Sequence, residues 1–165
     1  MPTAYYISVT LHLLAALLWL GGTFFLAAVG APVLRKVEPP ELRAELFRKI
    51  GVQFRMVGWV SIIVLVITGF ANLHYRGLLR GSVLGDPLFW SSRYGQALTW
   101  KLGSVLVILV LGAIHDFVIG PRASRYAAGS PEALRYRRAA AWMARVGAVV
   151  GIVLVVAAVR LARGG

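Results

Sequence analysis

The chain has no cysteine, which removes disulfides, thiolate metal sites and cysteine nucleophiles together. It has three methionines (Met1, Met56 and Met143) and three histidines (His12, His74 and His115). Acid is scarce: six Asp and Glu stand against 18 Lys and Arg, for a formal charge of +12. A soluble chain this basic would suggest a nucleic-acid partner. Here 59% of residues are hydrophobic, and the basic residues gather between long apolar runs. No nucleic-acid partner is expected. The charge reads instead as a topology signal and as attraction to anionic lipid headgroups. Only His, Asp, Glu, Met, Tyr and backbone groups remain as metal ligands.

The apolar runs set the fold class. A hydrocarbon core of about 30 Å takes roughly 20 apolar residues to cross as a helix. Four runs reach that length, at about residues 4–33, 56–79, 97–119 and 139–159. In the first, no Lys, Arg, Asp or Glu interrupts Thr3 to Leu34, and MPTAYY carries no basic residue of the kind that opens a signal peptide. A retained first span is expected. Pro32 with Arg35-Lys36 should end it, and Gly120-Pro121 should end the third. The second should end at Tyr75 or run on to Leu79. Ser130-Pro131 reads as a helix start. The stretch RGLLRGSVLGDPLFWSSRYGQ suits a loop at headgroup level. Short connectors favour an all-α integral membrane protein, an antiparallel four-helix bundle forming one transmembrane domain over residues 1–165. Gly147 and Gly151 lie at small-xxx-small spacing, a signal for close helix contact within a chain or in a homodimer.

Twelve basic residues flank the two connectors that follow the first and third spans, from Arg35 to Arg55 and from Arg122 to Arg145. Six lie on the other side: Arg76, Arg80, Arg93, Lys101, Arg160 and Arg163. The positive-inside rule then places both termini on the outer side of a cytoplasmic (inner) membrane.

An ionisable group inside a span is expensive, so it faces a partner or a ligand. At 100° per residue His12 shares a face with Ser8, Ala15, Ala16, Trp19, Gly22 and Thr23. Small residues beside an imidazole leave room for a flat, bulky group such as a porphyrin. They equally permit close helix approach, with His12 bonded to a neighbouring hydroxyl. His74 lies near the outer end of the second span, at His12's depth if that helix continues past Tyr75. Ser61, Thr68 and Asn72 form a polar stripe suited to helix–helix hydrogen bonds. His115 belongs to the opposite end, beside Asp116, the only acid inside a span. Asp116 there should pair with Arg55 or Arg145. A second metal site at His115 is the weaker alternative to that structural cluster.

Two imidazoles from facing helices can fill both axial positions of a haem iron. His12 and His74 are the candidate pair. Arg76, Arg80, Arg93, Lys101 and Tyr94 are candidate partners for haem propionates, and Trp19 lines the same strip. The expected cofactor is haem b, serving electron transfer or a small redox reaction with a redox partner or small substrate that the residues do not name. Copper is the alternative, although Cu(I) prefers sulfur ligands and the chain has few.

A resemblance accompanies these residues. FRMVGWVSIIVLVITGFANLHYRG and SSRYGQALTWKLGSVLVILVLGAIHDFVIGPR resemble the CopD (copper resistance D) membrane proteins: Thr68-Gly69 late in one span, then Tyr94, Gly95, Leu98 and Lys101 opening the next. His12 followed by Trp19-Leu20-Gly21-Gly22 also fits that pattern. This resemblance implies copper handling at the inner membrane. The chain is also similar to the four-span HemJ proteins, through His12 and Lys101. That similarity implies haem binding or protoporphyrinogen oxidation, with Lys101 important to catalysis.

Overall fold

The computed structural model describes residues 2–123, 125–126 and 130–165, with the side chain of Arg137 excepted. Met1, one of the three thioethers, and part of the connector before Ser130 lie outside the described residues. The fold is all-α, and four helices are long and apolar enough to cross a membrane: α1 (Thr3–Leu34), α2 (Pro40–Tyr75), α3 (Arg93–Ala123) and α4 (Pro131–Ala162). The chain is a multi-pass membrane protein. It resolves into two compact units, Met1–Val83 and Leu84–Gly165, each holding one pair of these helices.

Burial is inverted relative to a soluble protein. Large apolar side chains point outward: Leu17 is 69% exposed, Ile67 63% and Trp100 64%. Most buried positions are small or hydroxylic, among them Ala15, Ala97, Ala157, Ser8, Ser61, Thr68 and Ser104; Tyr5, Leu34, Leu98 and Leu161 are the large buried residues. Lipid tails are as apolar as leucine, so burying leucine between helices gains little there. Small side chains win the interface because they let backbones approach. An apolar exterior on this scale is tolerable only against lipid.

In the first unit α1 and α2 run antiparallel. Tyr5 meets Arg76, His12 meets Thr68, Trp19 meets Gly58, and Gly22 meets Phe54, so each step forward on α1 is a step back on α2. α1 carries π-helical turns at Leu17–Gly21 and Leu26–Gly30. The second precedes Pro32, so the helix persists through the proline to Leu34 rather than breaking at it. α2 ends at Tyr75, the shorter of the two ends the sequence allowed. Gly77, at φ +71°, closes it: the Gly77 amide donates to His74 O at 2.8 Å and the Leu78 amide to Leu73 O at 3.0 Å. This is a Schellman closure, which needs a left-handed residue and therefore favours glycine.

In the second unit the expected headgroup loop contains short helical turns at Gly81–Leu84 (straddling the boundary) and Pro87–Ser91. Asp86 caps the latter through the Leu88 amide, and Ser92 caps α3 through the Gly95 amide at 3.1 Å. That cap starts α3 at Arg93, four residues before the apolar run. At its far end α3 passes the expected stop at Gly120-Pro121 and reaches Ala123, with a π turn at His115–Ile119 ahead of the proline. Ser130 caps α4 through the Ala133 amide at 3.2 Å, as the Ser-Pro pair indicates. Gly151 is buried. A β-carbon at Gly147, by contrast, would meet nothing within 4 Å, so the glycine pair does not mark one close helix contact within the chain.

Candidate functional site

The strip predicted around His12 is the face that packs on α2. Ser8 and Ala15 are buried, while His12, Ala16, Trp19 and Gly22 are half-buried. Thr23 is more exposed and its hydroxyl donates to Trp19 O of its own helix at 2.8 Å. On α2 the matching stripe is Gly58, Ser61, Thr68 and Asn72. A glycine at 58 admits the Trp19 indole, whose Cδ1 would lie 3.5 Å from an added β-carbon.

His12 meets this stripe at Thr68-Gly69. Its Nδ1 lies 2.8 Å from Thr68 Oγ1, and an added β-carbon at Gly69 would lie 3.6 Å from His12 Cε1. The Thr68 hydroxyl lies 2.6 Å from Val64 O, to which it donates its single proton. Towards His12 the same oxygen can then act only as acceptor. Nδ1 therefore carries a proton, and in the neutral ring Nε2 carries the lone pair. The assignment follows from the hydrogen-bond network. A histidine ligand is ordinarily set up in this way, with one nitrogen held by a fixed acceptor and the other turned to the metal. Ser8 Oγ adds a long contact to Thr68 O at 3.4 Å. Ser61 does not cross between helices; it donates to Val57 O of its own helix at 2.8 Å.

His74 does not join His12. It lies six residues beyond Thr68, roughly 9 Å along the axis and about 240° around it at 1.5 Å and 100° per residue. That turns it away from the Gly58–Ser61–Thr68–Asn72 stripe, and it is exposed. With Thr68 opposite His12, the register sets the two rings at different levels, and α2 also stops at Tyr75. The expected bis-His pair is not assembled within this unit. His74 packs edge-on against Tyr75, with ring centroids 5.9 Å apart.

Two further groups gather near the start of α1. Arg76 Nε donates to Tyr5 OH at 3.0 Å, and Tyr5 packs edge-on against Tyr75. Between them and His12, Asn72 Oδ1 is buried and has no hydrogen-bond partner among the described residues. The sequence places Asn72 on the polar stripe; that its acceptor is orphaned cannot be read there.

The other candidates lie elsewhere. Arg80 lines a cavity with His74, Gly77 and Leu79. Arg93, Tyr94 and Lys101 belong to the second unit. Arg93 opens α3 and is exposed, Tyr94 lies 6.3 Å from Phe89 by ring centroid, and Lys101 is half-buried on α3. His115 Nδ1 donates to Asp116 Oδ1 at 3.0 Å. Arg145, expected as one partner for Asp116, places its guanidinium 5.6 Å from the centre of the Trp142 ring. Among the described residues no group of three or more His, Asp or Glu could hold a metal ion.

Fold and burial together define an all-α multi-pass membrane protein. A family model described as a domain of unknown function, DUF4149, matches residues 14–132. The chain belongs to that family, and the match takes in Thr68, Asn72, His74 and Lys101 while starting two residues after His12. An uncharacterized protein of Aquifex aeolicus (strain VF5) is 28% identical over 155 residues, which cover 93% of this chain and 92% of that protein. No solved structure matches.

Proposed function

We propose that the first unit binds haem b, with His12 Nε2 as a ligand to the iron, and that the protein serves electron transfer or a small redox reaction in the cytoplasmic membrane. The observation that carries the reading is the Thr68 hydroxyl. Committed as donor to Val64 O, it supports the His12 tautomer in which Nε2 would be the nitrogen offered to the iron. Arg76, fastened to Tyr5, supplies positive charge for propionates at the same end. Haem, when bound, brings one-electron chemistry; the chain contributes the ligand, its orientation and the dielectric around it. His74 is not assigned as the second ligand, because the α2 register turns it away.

The test is the absorption spectrum and metal content of the protein purified in detergent. A Soret band with stoichiometric iron, lost in His12→Ala, is expected. A colourless, iron-free preparation overturns the reading. Copper bound in place of iron, through His12, would transfer the site to the copper class. Rescue of a strain lacking protoporphyrinogen oxidation, abolished by Lys101→Ala, would favour porphyrin as substrate instead.

A further inference from the structure

The cavity at the C-terminal end of α2 is separate from the His12–Thr68 contact. It has a volume of ≈ 300 Å³ and is lined by His74, Gly77, Leu79 and Arg80. The Schellman closure at Gly77 creates it: the chain reverses there, and Arg80 folds back so that its Nε and Cζ would lie 3.8 and 3.9 Å from a β-carbon added at Gly77. The Arg80 guanidinium thus lies over the helix closure, in an open recess that His74 and Leu79 also line, with both His74 and Arg80 exposed.

Among the residues of this unit no Asp or Glu lies near the recess; Asp86 follows Arg80 by six residues, and its Oδ1 accepts from the Leu88 amide as the cap of the Pro87–Ser91 turn. Residues 1–37 and 46–83 contain no Asp or Glu. The unit's three acids are Glu38, Glu41 and Glu45, at the far end of α2. Glu45 is 29 residues from His74, roughly 44 Å down the helix axis at 1.5 Å per residue, several screening lengths away. Glu38 and Glu45 are also paired locally, with Arg43 at 3.4 Å and Lys49 at 2.7 Å. The α2 terminus adds only about half an elementary negative charge, against the full charge of Arg80 beside that of Arg76. The Gly77 and Leu78 amides are spent in the helix closure, so the recess offers side-chain donors. A planar guanidinium fork matches the oxygens of a tetrahedral phosphate.

We propose that this recess is a binding site for a phosphate-class anion, held by Arg80 and His74. The phosphate can come from an anionic lipid headgroup or from solution. This inference does not depend on the iron reading, since neither residue is assigned to that site.

The full chain in a phosphate-free maltoside detergent is titrated calorimetrically with inorganic phosphate. In parallel, phosphatidylglycerol retained by the protein is counted by native mass spectrometry. Saturable binding of at least one probe is expected, weakened tenfold or more by Arg80→Gln and to a lesser degree by His74→Ala. Arg43→Gln, which removes the same charge at the other end of α2, should leave binding unchanged. Circular dichroism confirms that each variant keeps its helices. Phosphatidylglycerol alone identifies the lipid as the source, whereas binding of both probes identifies the phosphate group itself. The proposal falls if neither probe binds, or if Arg43→Gln and Arg80→Gln weaken binding alike.

Discussion

Thr68 holds His12 by accepting, at 2.8 Å, the proton on Nδ1, while giving its own proton to Val64 O at 2.6 Å. One hydroxyl therefore ties α1 to α2 and selects a tautomer. Replacing Thr68 by valine keeps the side-chain shape and removes the acceptor. An imidazole N–H left without its partner in a semi-buried site costs about 1–3 kcal/mol. Thr68→Val should lower the thermal midpoint in detergent accordingly, and Thr68→Ser should restore most of the loss. Equal stability of the valine variant and wild type would show that the bond contributes nothing.

Asn72 gives the opposite expectation. Its Oδ1 is buried without a partner among the described residues, so it carries a desolvation cost with no return. Asn72→Leu, nearly isosteric, should be neutral or stabilising by up to about 1 kcal/mol, read as the unfolding midpoint. A clear loss of stability would mean that a buried water or ligand donates to that oxygen.

Gly77 tests the helix closure. A β-carbon there meets only ordinary contacts with Arg80, so the penalty for alanine is conformational. Holding an alanine at φ +71° costs about 1–2 kcal/mol. Gly77→Ala should show that loss in thermal unfolding. Gly77→Asn, which tolerates the left-handed region, should lose less.

Gly95 is constrained differently. Its amide feeds the Ser92 cap, and a β-carbon would lie 2.8 Å from Trp90 Cα, a backbone atom that no rotamer change can move. Overpacking of this kind costs about 1–3 kcal/mol, and loss of the cap adds about 1 kcal/mol. Gly95→Ala should therefore lower the thermal midpoint further than Thr68→Val or Gly77→Ala does, with Ser92→Ala reproducing only the smaller part.

Hydrophobic run length makes the four helices and the multi-pass class legible, and the 100° periodicity around His12 picks out the face that packs on α2. Those features depend on local composition, which the sequence carries directly. Helix ends are less legible because they depend on capping. Ser92 moves the start of α3 upstream of the apolar run, and Arg76-Gly77 stops α2 where apolar content alone would allow it to continue to Leu79. The pairing of His12 with His74 fails for a related reason. Distance to the span end suggests similar depth, whereas the angular register, about 240° from Thr68 to His74, decides what two facing helices can share. A hydroxyl bonded to His12 is foreseeable from the residues, but choosing among Ser61, Thr68 and Ser8 requires the inter-helix register.

The length of α2 has a consequence for how the protein can be probed. Thirty-six residues make a rod of roughly 54 Å, while hydrocarbon occupies only about 30 Å. The rod is longer than the hydrocarbon is thick, so its charged N-terminal end, from Pro40 to about Lys49, would reach past the lipid as a short stalk. The chain's lysines are Lys36, Lys49 and Lys101, so two of the three ride on or beside that stalk. A membrane-impermeant amine reagent applied to sealed, oriented vesicles should label Lys36 and Lys49 from one side only, and the positive-inside rule expects that side to be the cytoplasmic one.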